Sequence, residues 1–165
     1  MRGALAFLCC LWSQVGLAQG FATHDLTQIA EGARSALGPG TSAQAEPQRL
    51  ILTCTACAGS PSAELQLGRL TDGTEARVRS GKTSLGALED ICRARNPACR
   101  LSGLGVGPAI GWISVYALET GGGATAVILR DGDLLTVAVR SASRGTAEDA
   151  ARHLVTTIAS PIVGP

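Results

Sequence analysis

The sequence predicts an α+β fold: a two-layer sandwich of about six mostly antiparallel strands with its helices covering one face. Three observations lead there. From Arg49 onward, short apolar runs are separated by turn residues such as Thr71-Asp72-Gly73 and Arg130-Asp131-Gly132-Asp133. Two stretches, opening near Ser84 and Thr146, switch to the 3.6-residue spacing of a helix. The chain also matches itself: Leu70-Thr71-Asp72-Gly73 aligns with Leu129-Arg130-Asp131-Gly132 and Glu89-Asp90 with Glu148-Asp149, both at an offset of 59 (129 − 70 and 148 − 89). Arg79-Ser80 matches Arg140-Ser141 with a slip of two residues. This pattern is read as a duplicated βββα unit, over about 49–99 and 110–160. Local turn and helix-start preferences account for single matches, but not for a constant offset at both ends.

The first element is an address. Arg2, the apolar run Ala4 to Trp12 and the small residues Gly16 and Ala18 follow the order of a cleavable export signal, so residues 1–18 are expected to be removed. Ser13 and Gln14 interrupt the run well short of the roughly 20 apolar residues that a membrane span needs. Acylation at Cys9 or Cys10 is disfavoured, because Phe7 and Leu8 are bulky where small residues are required.

Residues 19–48 read as an arm and linker. Asp25-Leu26-Thr27-Gln28 has capping-box spacing, Leu26, Ile29, Ala33 and Leu37 recur at helical intervals, and Gly38-Pro39 stops the helix. Gly38 to Gln48 is small and polar, which suits a linker. The single domain, 49–165, then opens with strands expected at Leu50–Thr55, Ala63–Leu70 and Thr74–Arg79. A helix follows, capped at Thr83 or Ser84, with Leu85, Leu88, Ile91 and Cys92 on one face and Asn96-Pro97 at its end. The second half repeats the order: strands at Trp112–Leu118, Ala124–Leu129 and Leu134–Val139, then a helix over Thr146–Ile158 closed by Pro161. Between the halves, Gly103, Gly105, Gly107 and Gly111 form a glycine-rich connector, a candidate mobile binding loop.

Four cysteines remain after the export signal: Cys54, Cys57, Cys92 and Cys99. In an oxidising compartment an even number is most simply a disulfide framework. Of the three connectivities, the local one is favoured, Cys54 with Cys57 and Cys92 with Cys99. Cross-bracing of the first strand to the helix is the alternative. Cys54-Thr55-Ala56-Cys57 also has the spacing of a redox pair, but that chemistry wants a helix N-terminus at the first cysteine, and here Ala58-Gly59-Ser60-Pro61 signals a turn. The six-residue gap between Cys92 and Cys99 does not suit zinc.

Function is bounded mainly by exclusion. Removing Arg2 leaves 13 basic side chains (14 − 1) against 13 acidic ones, so no field steers toward nucleic acid or an anionic membrane. Only Phe21, Trp112 and Tyr116 remain as aromatics, few for stacking on bases or sugars. Ser80-Gly81-Lys82-Thr83 lacks the upstream glycine of a phosphate loop, because position 76 is alanine. With His24 and His153 isolated from each other, no metal site or hydrolase triad assembles on paper. Nothing in the pattern requires a cofactor. One lysine against thirteen arginines resembles GC-rich bacterial coding, which makes the destination the periplasm or the medium. The expectation is a non-catalytic binding or accessory protein with an unknown small-molecule or protein ligand, located at the seam between the halves. The alternative is a thiol-disulfide or metal-handling protein using Cys54 and Cys57.

Overall fold

The computed structural model describes residues 20–165; the export signal expected over 1–18 lies outside the described residues. The fold is α+β, built on one seven-stranded sheet in which every neighbouring pair is antiparallel. The strands are β1 (Ser42–Glu46), β2 (Arg49–Thr53), β3 (Ser62–Arg69), β4 (Arg100–Gly103), β5 (Ile110–Ala117), β6 (Gly122–Arg130) and β7 (Asp133–Ser141). The helices are α1 (Ala30–Leu37), α2 (Thr74–Arg79), α3 (Leu85–Arg95) and α4 (Arg144–Val163), with a 3-10 turn at Leu26–Ile29 leading into α1. Spatial order is β1-β2-β3-β7-β6-β5-β4, so each half of the chain forms a meander and the two meet where β3 pairs with β7.

Alternation along the strands divides the sheet into two unlike faces. Leu50, Leu52, Ala63, Leu65, Ile113, Ala124, Ala126, Ile128, Leu135, Val137 and Val139 point one way, into the main core. Helix α4 covers that face with Ala147, Ala151, Leu154, Val155, Ile158 and Ile162, and α1 adds Ala33 and Leu37. The neighbouring residues Trp112, Ser114 and Tyr116 on β5, with Thr125 and Val127 on β6, point the other way. Helix α3 lies on this second face, over β4 and β5.

Five corrections to the expected architecture follow. The sheet has seven strands rather than six. Thr74–Arg79 is a helix: the Asp72 carboxylate accepts the Thr74 N–H at 2.9 Å, and Glu75 pairs with Arg79 one turn on, so local capping overrides the alternation of Thr74, Ala76 and Val78. The helices do not share one face, since α3 and α4 lie on opposite sides. The stretch 38–48, expected as a linker, contributes edge strand β1, paired residue for residue with β2 from Ser42↔Thr53 to Glu46↔Arg49. Pro161 does not close the last helix, which runs on to Val163. The carbonyls freed there find other donors: Ala22 N–H reaches the Ile162 carbonyl at 2.8 Å, and the Thr23 hydroxyl donates to the Pro161 carbonyl.

Two glycines are required by geometry. Asp131 (φ +52) and Gly132 (φ +84) both have positive φ and make the tight β6–β7 hairpin, for which Asp-Gly is the favoured pair. At Gly122 a Cβ would stand 2.2 Å from the Arg144 backbone nitrogen, so only glycine lets β6 begin against the start of α4. Helix α4 itself opens on a reciprocal cap: the Ser143 hydroxyl accepts the Thr146 N–H, and Thr146 Oγ1 accepts the Ser143 N–H.

Helix α2 is anchored at this hairpin, because the Glu75 carboxylate accepts the Gly132 N–H at 3.0 Å. Burial by itself pushes the Glu75 carboxyl up, but the Arg79 guanidinium and the N–H groups of Gly132 and Asp131 outweigh it and hold the group below its usual 4.5. A folded-state pKa below the unfolded one means that Glu75 stabilises the fold above the ordinary glutamate range and loses that contribution as pH falls through the lowered value. Glu75→Gln is therefore expected to be less stable than the parent at neutral pH, with the gap closing in acid. Parallel urea titrations at both pH values check this; a pH-independent gap refutes it.

Candidate functional site

The second face of the sheet carries a groove of 540 Å³ between α3 and β4–β5. Its floor is Trp112, Ser114 and Tyr116, successive outward residues of β5, continued by Leu118 and flanked by Leu101 on β4. Leu88, Ile91, Cys92, Arg95 and Asn96 of the α3 segment form its wall. No residue of α3 is fully buried, and Ile91 is 59% exposed. The helix thus stands off the sheet instead of sealing it, leaving apolar side chains on both sides of an open slot.

Most polar atoms lining this slot are already engaged. Tyr116 Oη and Thr125 Oγ1 lie 3.0 Å apart, and the Ser114 hydroxyl donates to the Thr125 carbonyl. The Asn96 side chain donates to the Ala117 carbonyl at 2.7 Å and accepts the Ala98 N–H. Arg95 is the one charged residue lining the groove. Among the described residues it makes no ion pair. The site therefore has an apolar floor, satisfied polar edges and one uncommitted cation at its rim, the composition of many small-ligand sites.

The cysteines position this wall. Cys92 and Cys99 are disulfide-bonded with Cα atoms 5.9 Å apart, tying the last turn of α3 to the start of β4. The Glu89 carboxylate adds a second tie by accepting the Leu101 N–H at 2.8 Å. With so little buried surface, α3 depends on these restraints. Replacing both Cys92 and Cys99 by serine is expected to lower stability by about 2 kcal/mol, the scale for a short closed loop. It should also raise amide exchange across α3 before the rest of the chain. Unchanged α3 protection would contradict the stapling role.

Cys54 and Cys57 form the other pair, with Cα atoms 5.4 Å apart. Cys54 is fully buried, and the Cys57 sulfur lies against the C-terminal end of α1, 3.4 Å from the Leu37 carbonyl. Residues 55–59 form bends and turns, so no helix N-terminus stands behind either sulfur to favour a thiolate. Among the described residues, no three His, Cys, Asp or Glu side chains gather as metal ligands.

The glycine-rich connector is placed beside α4, on the core face. Gly103, Gly105 and Gly107 line a 490 Å³ cavity together with Arg152, Val155, Thr156 and Val163. Gly111 is not part of it: it lies in β5, where a Cβ would stand 2.8 Å from the Val106 side chain and 3.1 Å from the Val127 carbonyl. Arg152 is already committed, to Glu148 and to the Ser102 hydroxyl.

Sequence reasoning missed two things. Strand spacing puts Trp112 and Tyr116 on one side of β5 but does not show that α3 comes to lie over that side. Asp133 was passed over as a turn residue, yet its side chain is 4% exposed and gathers the Phe21 N–H at 2.8 Å, His24 Nε2 at 2.7 Å and Arg69 at 2.9 Å. With this cluster the supposed arm docks onto the β6–β7 hairpin. Its one sequence signal was a second acid in Arg130-Asp131-Gly132-Asp133, where the turn needs only the first.

No helix among the described residues is long and apolar enough to cross a membrane. No family model, no curated protein and no solved structure matches the chain, so the groove's own chemistry is the guide to its use.

Proposed function

We propose that the chain is an exported, non-catalytic binding protein of the periplasm or the medium, and that its ligand site is the apolar groove between α3 and β4–β5. The observation that carries this reading is the half-open slot itself, with Trp112 and Tyr116 on its floor and Ile91 left 59% exposed on its wall. Exposing a large aliphatic side chain beside a concave aromatic floor forgoes burial worth roughly 1.5–3 kcal/mol. A bound apolar group recovers it. The two local disulfides suit an oxidising compartment.

A second reading places the ligand in the cavity beside Gly103, Gly105 and Gly107, favoured by its more enclosed shape and its apolar lining of Val106, Val155 and Val163. The thiol-disulfide alternative lacks comparable support, since Cys54 is buried and the Cys57 sulfur faces the negative, C-terminal end of α1, which disfavours a thiolate.

A neutral naphthylamine dye, titrated while exciting Trp112 and following energy transfer, separates these readings. Ile91→Asp is expected to weaken dye binding at least about tenfold, because it removes apolar contact and places a charge in the slot. Melting should hardly change, since Ile91 is mostly exposed. Thr156→Trp, which fills the other cavity, should leave binding intact. The reverse pattern would transfer the site to the glycine connector, and no dye binding to any form would remove the groove reading.

A further inference from the structure

We propose that the groove takes a single-chain carboxylate amphiphile, its chain lying along Trp112, Tyr116 and Leu118 and its carboxylate paired with Arg95. The inference rests on the groove being a binding site and adds the chemistry of what it binds.

Shape argues for a chain. Trp112, Ser114, Tyr116 and Leu118 follow one another along one line of the sheet, so the floor is on the order of 20 Å long at about 3.3 Å per residue. It is walled by α3 and by Leu101 of the adjoining edge strand β4. A long, linear, largely apolar floor matches an extended acyl chain better than a compact ring system. The volume, 540 Å³, suits one chain rather than a two-tailed lipid.

Charge argues for the headgroup. Tyr116, Ser114 and Asn96 spend their polar atoms on Thr125, Ala117 and Ala98, leaving little for a polar ligand body. Arg95 alone lines the groove with an unspent donor set, and a guanidinium matches a carboxylate in a two-pronged geometry. A phosphate ester, carrying more charge, would draw a second cation. None lines the slot: Arg100 instead donates to its neighbouring Cys99 carbonyl.

Trp112 is the only tryptophan after residue 12, and it lies on the groove floor, 9% exposed, so intrinsic fluorescence of the mature protein reports binding directly. Dodecanoate and dodecanol share a chain and differ in charge. Dodecanoate is expected to bind about five- to tenfold more tightly than dodecanol, the range for one partly solvated ion pair. Arg95→Gln should bring the two affinities together by weakening dodecanoate alone. Arg93→Gln, on the same helix but outside the groove, should preserve the preference. Equal binding of the two ligands to the parent protein, or an Arg95→Gln variant that keeps the preference, overturns the carboxylate while leaving the groove as a site. Binding to neither ligand removes the groove reading together with this one. A response only to phosphatidylglycerol vesicles, with none to dodecanoate, would reassign the surface to membranes and also overturn the proposal.

Discussion

Asp133→Ala is expected to destabilise the protein by about 2–4 kcal/mol, a large share of a typical domain's 5–15 kcal/mol. The carboxylate is almost fully buried at the start of β7 and holds three donors from three places in the chain: the Phe21 backbone, His24 and Arg69. The side chains of Arg69 and His24 are themselves 67% and 62% exposed, so water can take over much of what they lose. The Phe21 N–H cannot be so compensated. It is enclosed, and a Cβ on the preceding Gly20 would stand 2.1 Å from an Asp133 oxygen, which shows how closely this backbone is pressed onto the carboxylate. Removing the acceptor strands that N–H and loosens Phe21 together with the next two residues, Ala22 and Thr23, which cap the C-terminal carbonyls of α4. Asp133→Asn keeps an acceptor for Phe21 and should cost clearly less. Urea unfolding measures both variants, and amide exchange at Phe21 and Ala22 locates the damage. Equal losses for the two would mean that charge rather than the backbone contact matters.

Leu154→Ala is expected to cost about 3–4 kcal/mol, whereas Leu88→Ala should cost less than about 1 kcal/mol. Both are leucines on amphipathic helices packed against the same sheet. Leu154 is fully buried on α4, and truncating it leaves a cavity that the close-packed strands cannot fill. Leu88 borders the open groove on α3, a helix with no buried residue, so its truncation only widens a slot that already exists. The comparison reads out the inequality of the two faces directly. Similar losses at the two positions would show that α3 belongs to the core.

What was legible in the chain follows from this inequality. Strands β2, β3, β5, β6 and β7 announce themselves because alternate residues face a real core, and α3 and α4 by their caps and apolar spacing. Strand β1 carries no such mark: Ser42-Ala43-Gln44-Ala45-Glu46 is exposed throughout and is a strand only because β2 pairs with it. Strand β4 has four residues, too few to display a period. Amphipathic spacing told that Leu85, Leu88, Ile91 and Cys92 share a side of α3, but not which face of the sheet that side meets. That choice is made by the crossing from β3 to the far edge. The groove was illegible for the same reason, although its two aromatics were visible four residues apart. The Asp133 cluster joins residues 109 and 112 positions apart, beyond the reach of any local pattern.

The seam between β3 and β7 also bears on how the chain reaches this state. Arg69 and Asp133 sit opposite one another there although 64 residues separate them, and the pairing continues outward to Ser62 and Arg140. Each meander can form from neighbouring segments within microseconds, but joining them requires closing a long loop. A chain emerging N-terminus first therefore presents β3, with Leu65 and Leu67 on one side, as an unpaired edge until β7 arrives. That waiting interval is where a helper protein or a misplaced neighbour would compete for the edge, and it ends only when β7, as far as Arg140, is free to pair.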